Sequence, residues 1–105
     1  MKMKPFSRKD YPQLSAFVGG YLHQDYIDDS GSPAGALDKF IAQANPEQRR
    51  ALTAEFGAFM NAIEAVPFAQ AQEWWTRELG SAWLPADKNE LLALQRRLSR
   101  TDIKA

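Results

Sequence analysis

The chain has 105 residues, 45% of them hydrophobic and 25% charged, with no cysteine, a single histidine and zero net charge. That composition describes one globular domain able to bury its own core, and it excludes a disulfide scaffold, a thiol nucleophile, cysteine-ligated zinc and any multi-histidine metal centre. The zero balance hides a pattern: residues 1–9 carry +4, residues 10–87 carry −7 and residues 88–105 carry +3, with no Lys or Arg between Lys9 and Lys39, so the body repels phosphates and attracts a basic partner.

Residues 1–9 read as a flexible basic segment ahead of one helical domain over residues 10–105. No apolar stretch follows that basic start and no run reaches the roughly 20 apolar residues of a membrane span, so the expectation is a cytoplasmic protein with no membrane partner. Asp10-Tyr11-Pro12 reads as a cap and an early-turn proline. Behind it Leu14, Phe17, Val18, Tyr21 and Leu22 follow the spacing of one buried helical stripe. Gly19-Gly20 interrupts that helix, at about 1 kcal/mol per glycine against alanine, and marks a bend or a close crossing by another backbone. Ser32-Pro33 opens a second helix with Leu37, Phe40, Ile41 and Ala44 on its inner face. Asn45-Pro46 ends it and starts a third over about 46–65, where Asn45 and Gln48 have capping-box spacing and Leu52, Phe56, Phe59, Met60 and Ile63 share a side. Pro67 stops it. A fourth helix spans Ala69–Leu79 with Trp75 and Leu79 on one face and Gly80 just past its end. Asp87 and Glu90, again at capping-box spacing, start a fifth with Leu91, Leu94 and Leu98 inside and Leu92 flanking. Strand signals are weak. The expected fold is all-α, a compact single-domain bundle of about five helices packed up and down.

The densest polar stretch is residues 19–29, at the end of the first helix and the start of its loop. An enzyme could use His23 as a base or ligand beside Asp25, but a base needs a placed substrate and a metal hydrolase needs three or four ligands. Asp25, Asp28 and Asp29 could approach calcium, yet the EF-hand spacing and its closing glutamate are missing. His23 reads better as a hydrogen-bonded strut, and Tyr21 and Leu22 as packing. Asp25, Tyr26, Asp28 and Asp29 suit either a solvated acidic loop or a surface that steers and anchors a basic protein. In Trp74-Trp75, adjacent helical positions about 100° apart put Trp75 on the core stripe and make Trp74 the better candidate for an interface, although core packing of both is the favoured alternative. Trp83 covers the end of the bundle. The cations Arg96, Arg97, Arg100 and Lys104 on the last helix either follow a phosphate backbone or complement the helix dipole. The −7 body favours the second, so no nucleic-acid partner is expected, and a small nucleic-acid-binding module on this helix is the alternative function. No catalytic residue, metal or cofactor is assigned.

At this stretch the sequence also resembles a known family. Phe17-x-Gly19-Gly20-Tyr21-Leu22-His23-Gln24-Asp25-Tyr26, then Gly31-Ser32-Pro33 and a helix ending in Phe40, and later Glu78-Leu79-Gly80 followed by Trp83, are similar to the small immunity proteins of bacterial contact-dependent growth inhibition systems. The resemblance covers about residues 10–100. It implies a helical, non-catalytic protein whose partner is the toxic C-terminal domain of a large secreted effector, often a nuclease. A string shared by a family whose toxins differ supports the fold, which makes Gly19, Gly20, Tyr21, His23 and Gln24 structural. Charge complementarity to a nuclease's basic cleft places the expected toxin contacts at Asp25, Asp28, Asp29 and Asp38 with Tyr26 as anchor and at Trp74, while outward Glu55 and Glu64 are either a second patch or a solvated helix face.

Overall fold

The structure is a computed structural model that describes the backbone of residues 7–103, with the side chains of residues 29, 30 and 101–103 outside the description. It is all-α. Six α-helices occur among the described residues: α1 (Pro12–Tyr21), α2 (Tyr26–Ser30), α3 (Pro33–Gln43), α4 (Pro46–Ile63), α5 (Phe68–Glu73) and α6 (Lys88–Ile103). A 3-10 turn (Arg8–Asp10) precedes α1, and a π-helical turn (Trp74–Glu78) prolongs α5. Five of the helices are those the periodicity predicts. The additional one, α2, lies where a loop is expected, because five residues are too few for an apolar period to show. Of the segment expected to be flexible, residues 1–6 lie outside the description, and residues 8 and 9 belong to the 3-10 turn.

Local chemistry sets most helix starts. Ser32 caps α3 by accepting from the Gly35 N–H at 3.0 Å, with Pro33 in the first turn. Asn45 and Gln48 form a complete capping box on α4: the Gln48 N–H donates to Asn45 at 2.8 Å and the Asn45 N–H donates to Gln48 at 3.0 Å. At α6 the box is altered. Asp87 accepts from the Glu90 N–H at 3.1 Å, but the Glu90 carboxylate reaches past Asp87 to the Ala86 N–H. The cap expected at Asp10 is not there, since the residue before α1 is Tyr11, which makes no side-chain cap.

The buried residues form one cluster. Leu14, Phe17 and Val18 of α1, Leu37 and Phe40 of α3, Leu52, Phe56, Phe59, Met60 and Ile63 of α4, and Leu91, Leu94 and Leu98 of α6 meet Trp75 and Leu79 inside it. Tyr21, Ile41, Ala44 and Leu92 are half-buried at its edge. Trp75 sits at the centre with Phe56 and Phe59 tilted against it at 5.9 and 5.6 Å and Trp83 edge-on at 6.2 Å. Its indole N–H is buried with no acceptor among the described residues.

The packing order differs from an up-and-down bundle. Although only Ala44 and Asn45 separate α3 from α4, α4 packs mainly on α6 and α1, and α3 on α2, α1 and α6. The linker is the reason: Ala44 (ψ 144°) and Asn45 (ψ 168°) are both extended and carry the chain onward instead of folding it back. Arg49 reaches back across the linker to donate to the Ala44 carbonyl at 3.0 Å.

The glycine pair does not interrupt α1, which runs through it to Tyr21. At Gly19 another backbone crosses: a Cβ there would stand 3.4 Å from the Leu79 carbonyl oxygen, and one on Gly80 would stand 3.7 Å from Gly19 Cα. Gly80 has φ +87°, the left-handed geometry that follows a helix end. The Leu79 N–H bonds the Trp74 carbonyl at 2.9 Å and the Ser81 N–H bonds that of Trp75 at 3.2 Å, so the helix end is one residue wider than an α-helical one. The next residue, Ala82, donates to the Leu22 carbonyl at 2.7 Å, tying this return to the end of α1.

Candidate functional site

Residues 23–28 follow directly from the end of α1. Leu22 is fully buried, and the chain must turn sharply to leave the core. The Asp25 N–H donates to His23 Nδ1 at 3.1 Å and the Tyr26 N–H donates to the His23 carbonyl at 2.9 Å. His23 thus closes the turn that starts α2, through both its ring Nδ1 and its carbonyl. At the other end Gly31, at φ +78°, donates to the Ile27 carbonyl at 2.9 Å, and Ser32 then caps α3.

This frame decides what α2 shows. Tyr26 is half-buried and packs on the core, whereas Asp25 and Asp28 are exposed. Asp29 lies on the same helix, its side chain outside the description. Between the acids stands Ile27, 62% exposed. The expectation of a loop gives this residue no role; its sequence signal is an aliphatic side chain set in a run of carboxylates.

The other candidates go elsewhere. Asp38 of α3 forms a two-pronged ion pair with Arg97 of α6, at 2.8 and 2.6 Å. The hydrogen bonds from Arg97, and its charge, hold the Asp38 carboxyl below the usual carboxylate range against the opposing effect of desolvation. Glu55, expected to point outward, is turned inward: it is half-buried and its Oε1 accepts from the Gln13 and Leu14 N–H groups at 2.7 and 2.9 Å. It supplies from α4 the cap that α1 lacks locally, and the positive end of the α1 dipole favours a carboxylate there. Glu64, at the end of α4, lies 3.5 Å from Lys88 of α6. Glu55 and Glu64 therefore serve two different helix ends. Trp74 is half-buried against the core cluster.

Of the remaining motif residues, Tyr21 links α1 to α3, its hydroxyl donating to Gln43 at 2.7 Å and its ring meeting Phe40 edge-on at 5.5 Å. Gln24 and Gly20 are exposed, and a Cβ on Gly20 would meet nothing within 4 Å. On α6, Arg96, Arg97 and Arg100 line a groove with Ala34 of α3; the pairing of Arg97 with Asp38 removes one of the cations a phosphate backbone would need, and Lys104 lies outside the described residues. No three metal-ligating side chains converge among the described residues. No helix there is long and apolar enough to cross a membrane.

The family described as CdiI immunity protein matches residues 10–90. The chain belongs to that family. It is thus an immunity protein of a contact-dependent growth inhibition system, and such a protein has a cognate toxin as its partner. No curated protein and no solved structure matches the chain. The segment matched to the CdiI family contains α2 and its carboxylates, while Arg96, Arg97 and Arg100 of α6 lie beyond it.

Proposed function

We propose that the protein neutralises the toxin domain of its own growth inhibition system, a nuclease, in the cytoplasm of the producing cell. It acts without catalysis, by stoichiometric occlusion. A nuclease must hold a polyanion, so its cleft is basic. Carboxylates presented on a fixed surface take the place of phosphates there.

The observation that carries this reading is the exposure of Asp25, just before α2, and of Asp28 on it, within a stretch from residue 10 to residue 38 that contains no Lys or Arg. Asp29 of α2 is taken as a third toxin contact in this reading, and the half-buried Tyr26 holds the helix to the core. Because α2 is tied at both ends, little ordering entropy is lost on docking. Charge complementarity raises the encounter rate, up to about 10⁸–10⁹ M⁻¹s⁻¹ at low salt, and speed matters against an enzyme that turns over.

The test uses the C-terminal toxin domain encoded beside this gene. Co-expression with the immunity protein should rescue cells from it, and the purified pair should form a one-to-one complex whose association slows as salt rises. Asp25→Lys with Asp28→Lys should lower the association rate about tenfold or more. Cells that die despite co-expression would end the proposal. Rescue with a salt-independent association rate, unchanged in the double variant, would place the interface on another face.

A further inference from the structure

Two large apolar side chains stand well out from the described surface, Ile27 at 62% exposure and Leu84 at 55%. A single exposed aliphatic is ordinary, but the setting of Ile27 is not. A helix of five residues has no stability of its own in water. Here α2 is held by the His23 turn at its start, by Gly31 in left-handed geometry at its end and by Tyr26 against the core. The Ile27 carbonyl is one of the fixed points, accepting from the Gly31 N–H at 2.9 Å. A β-branched side chain, stiff about χ1, is thus presented on a fixed backbone, with exposed Asp25 two positions before it in the chain and exposed Asp28 next after it.

Building on the functional reading above, we infer that Ile27 is the apolar anchor of the toxin interface, entering an apolar pocket whose rim carries Lys and Arg. Charge complementarity selects this occupant. A second copy of the chain would bring Asp25 and Asp28 against the same carboxylates across a two-fold contact, whereas a cationic rim meets them favourably. In the complex Ile27 would be the desolvated apolar part of the interface, with the carboxylates nearby in the chain meeting its charged rim. The roles then separate in time: the carboxylates govern encounter and Ile27 governs how long the complex lasts.

The experiment measures association and dissociation rates of the toxin domain with wild-type protein, Ile27→Ala, Leu84→Ala and the Asp25→Lys/Asp28→Lys pair, each checked for an unchanged circular dichroism spectrum. Ile27→Ala should dissociate about tenfold faster or more, with association within about twofold of wild type. Leu84→Ala should match wild type in both rates, and the charge pair should change mainly association. Wild-type binding with unaltered dissociation of Ile27→Ala overturns the anchor while leaving the functional reading intact. Dimerisation of the isolated protein that Ile27→Ala abolishes would put a second copy on this surface and overturn it too. Failure of the wild-type protein to bind the toxin domain overturns both.

Discussion

Glu55 shows how much one side chain can carry. It sits on α4, yet its Oε1 receives two backbone N–H groups from the first turn of α1. Proline at the start of that helix removes one donor that would need a partner, and Glu55 takes the next two. Glu55→Ala should therefore cost about 1–2 kcal/mol, the range of a lost N-cap and of orphaned, partly buried donors. Glu55→Gln retains an acceptor but loses the charge favoured by the helix dipole, and should cost less than about 1 kcal/mol. Urea unfolding of both variants checks the order. If the two cost the same, the carboxylate is not acting as a cap. Trp75 shows the opposite economy: its ring fills the centre of the core among Phe56, Phe59 and Trp83, and its N–H has no acceptor among the described residues.

Among the elements, two glycines of similar sequence appearance have contrary roles. Gly57 lies inside α4, and a Cβ on it would come no nearer than 3.8 Å to the Gln95 amide, an ordinary contact with a flexible side chain. Gly57→Ala should stabilise the protein by about 0.5–1 kcal/mol, through helix propensity and a less disordered unfolded chain. Gly80 needs φ +87° and lies against Gly19. Gly80→Ala should destabilise by about 1–2 kcal/mol. Thermal melts of the two variants should shift in opposite directions. A shared direction would mean that the return after α5 tolerates a right-handed backbone.

For the whole molecule, the Asp38–Arg97 pair joins α3 to α6 at the surface. Arg97 holds the folded-state pKa of Asp38 below its ordinary value. The pair's contribution is therefore fully present above the unfolded carboxyl pKa of about 3.9 and is lost as pH falls through the lower, folded value. Both side chains are nearly half exposed, so solvent screening limits the effect to about 0.5–1 kcal/mol. Asp38→Asn should be less stable than wild type by that amount near neutral pH, with the difference closing below about pH 4. Unfolding curves across that range decide it, and a gap that persists undiminished in acid would assign the loss to packing.

The sequence alone determined five of the six helices found among the described residues, and most of the core. Apolar spacing identified Leu14, Phe17, Leu52, Phe56 and Leu98 as inward, and Ser32, Asn45 and Gly80 announced ends because their signals are local and involve residues a few positions apart. It also determined the charge division and, through the residue 17–26 string, the resemblance that the family match over residues 10–90 bears out. Only the tertiary structure decided what the carboxylates do. Glu55, Glu64 and Asp38 look alike in sequence to Asp25 and Asp28, yet the first three face another helix and the last two face solvent. A charge's partner can lie 41 or 59 residues away, as for Glu55 with Leu14 and Asp38 with Arg97, and periodicity does not reach that far. The same holds for α2: its five residues are too few to stand as a helix without the turns and the packing on either side of them.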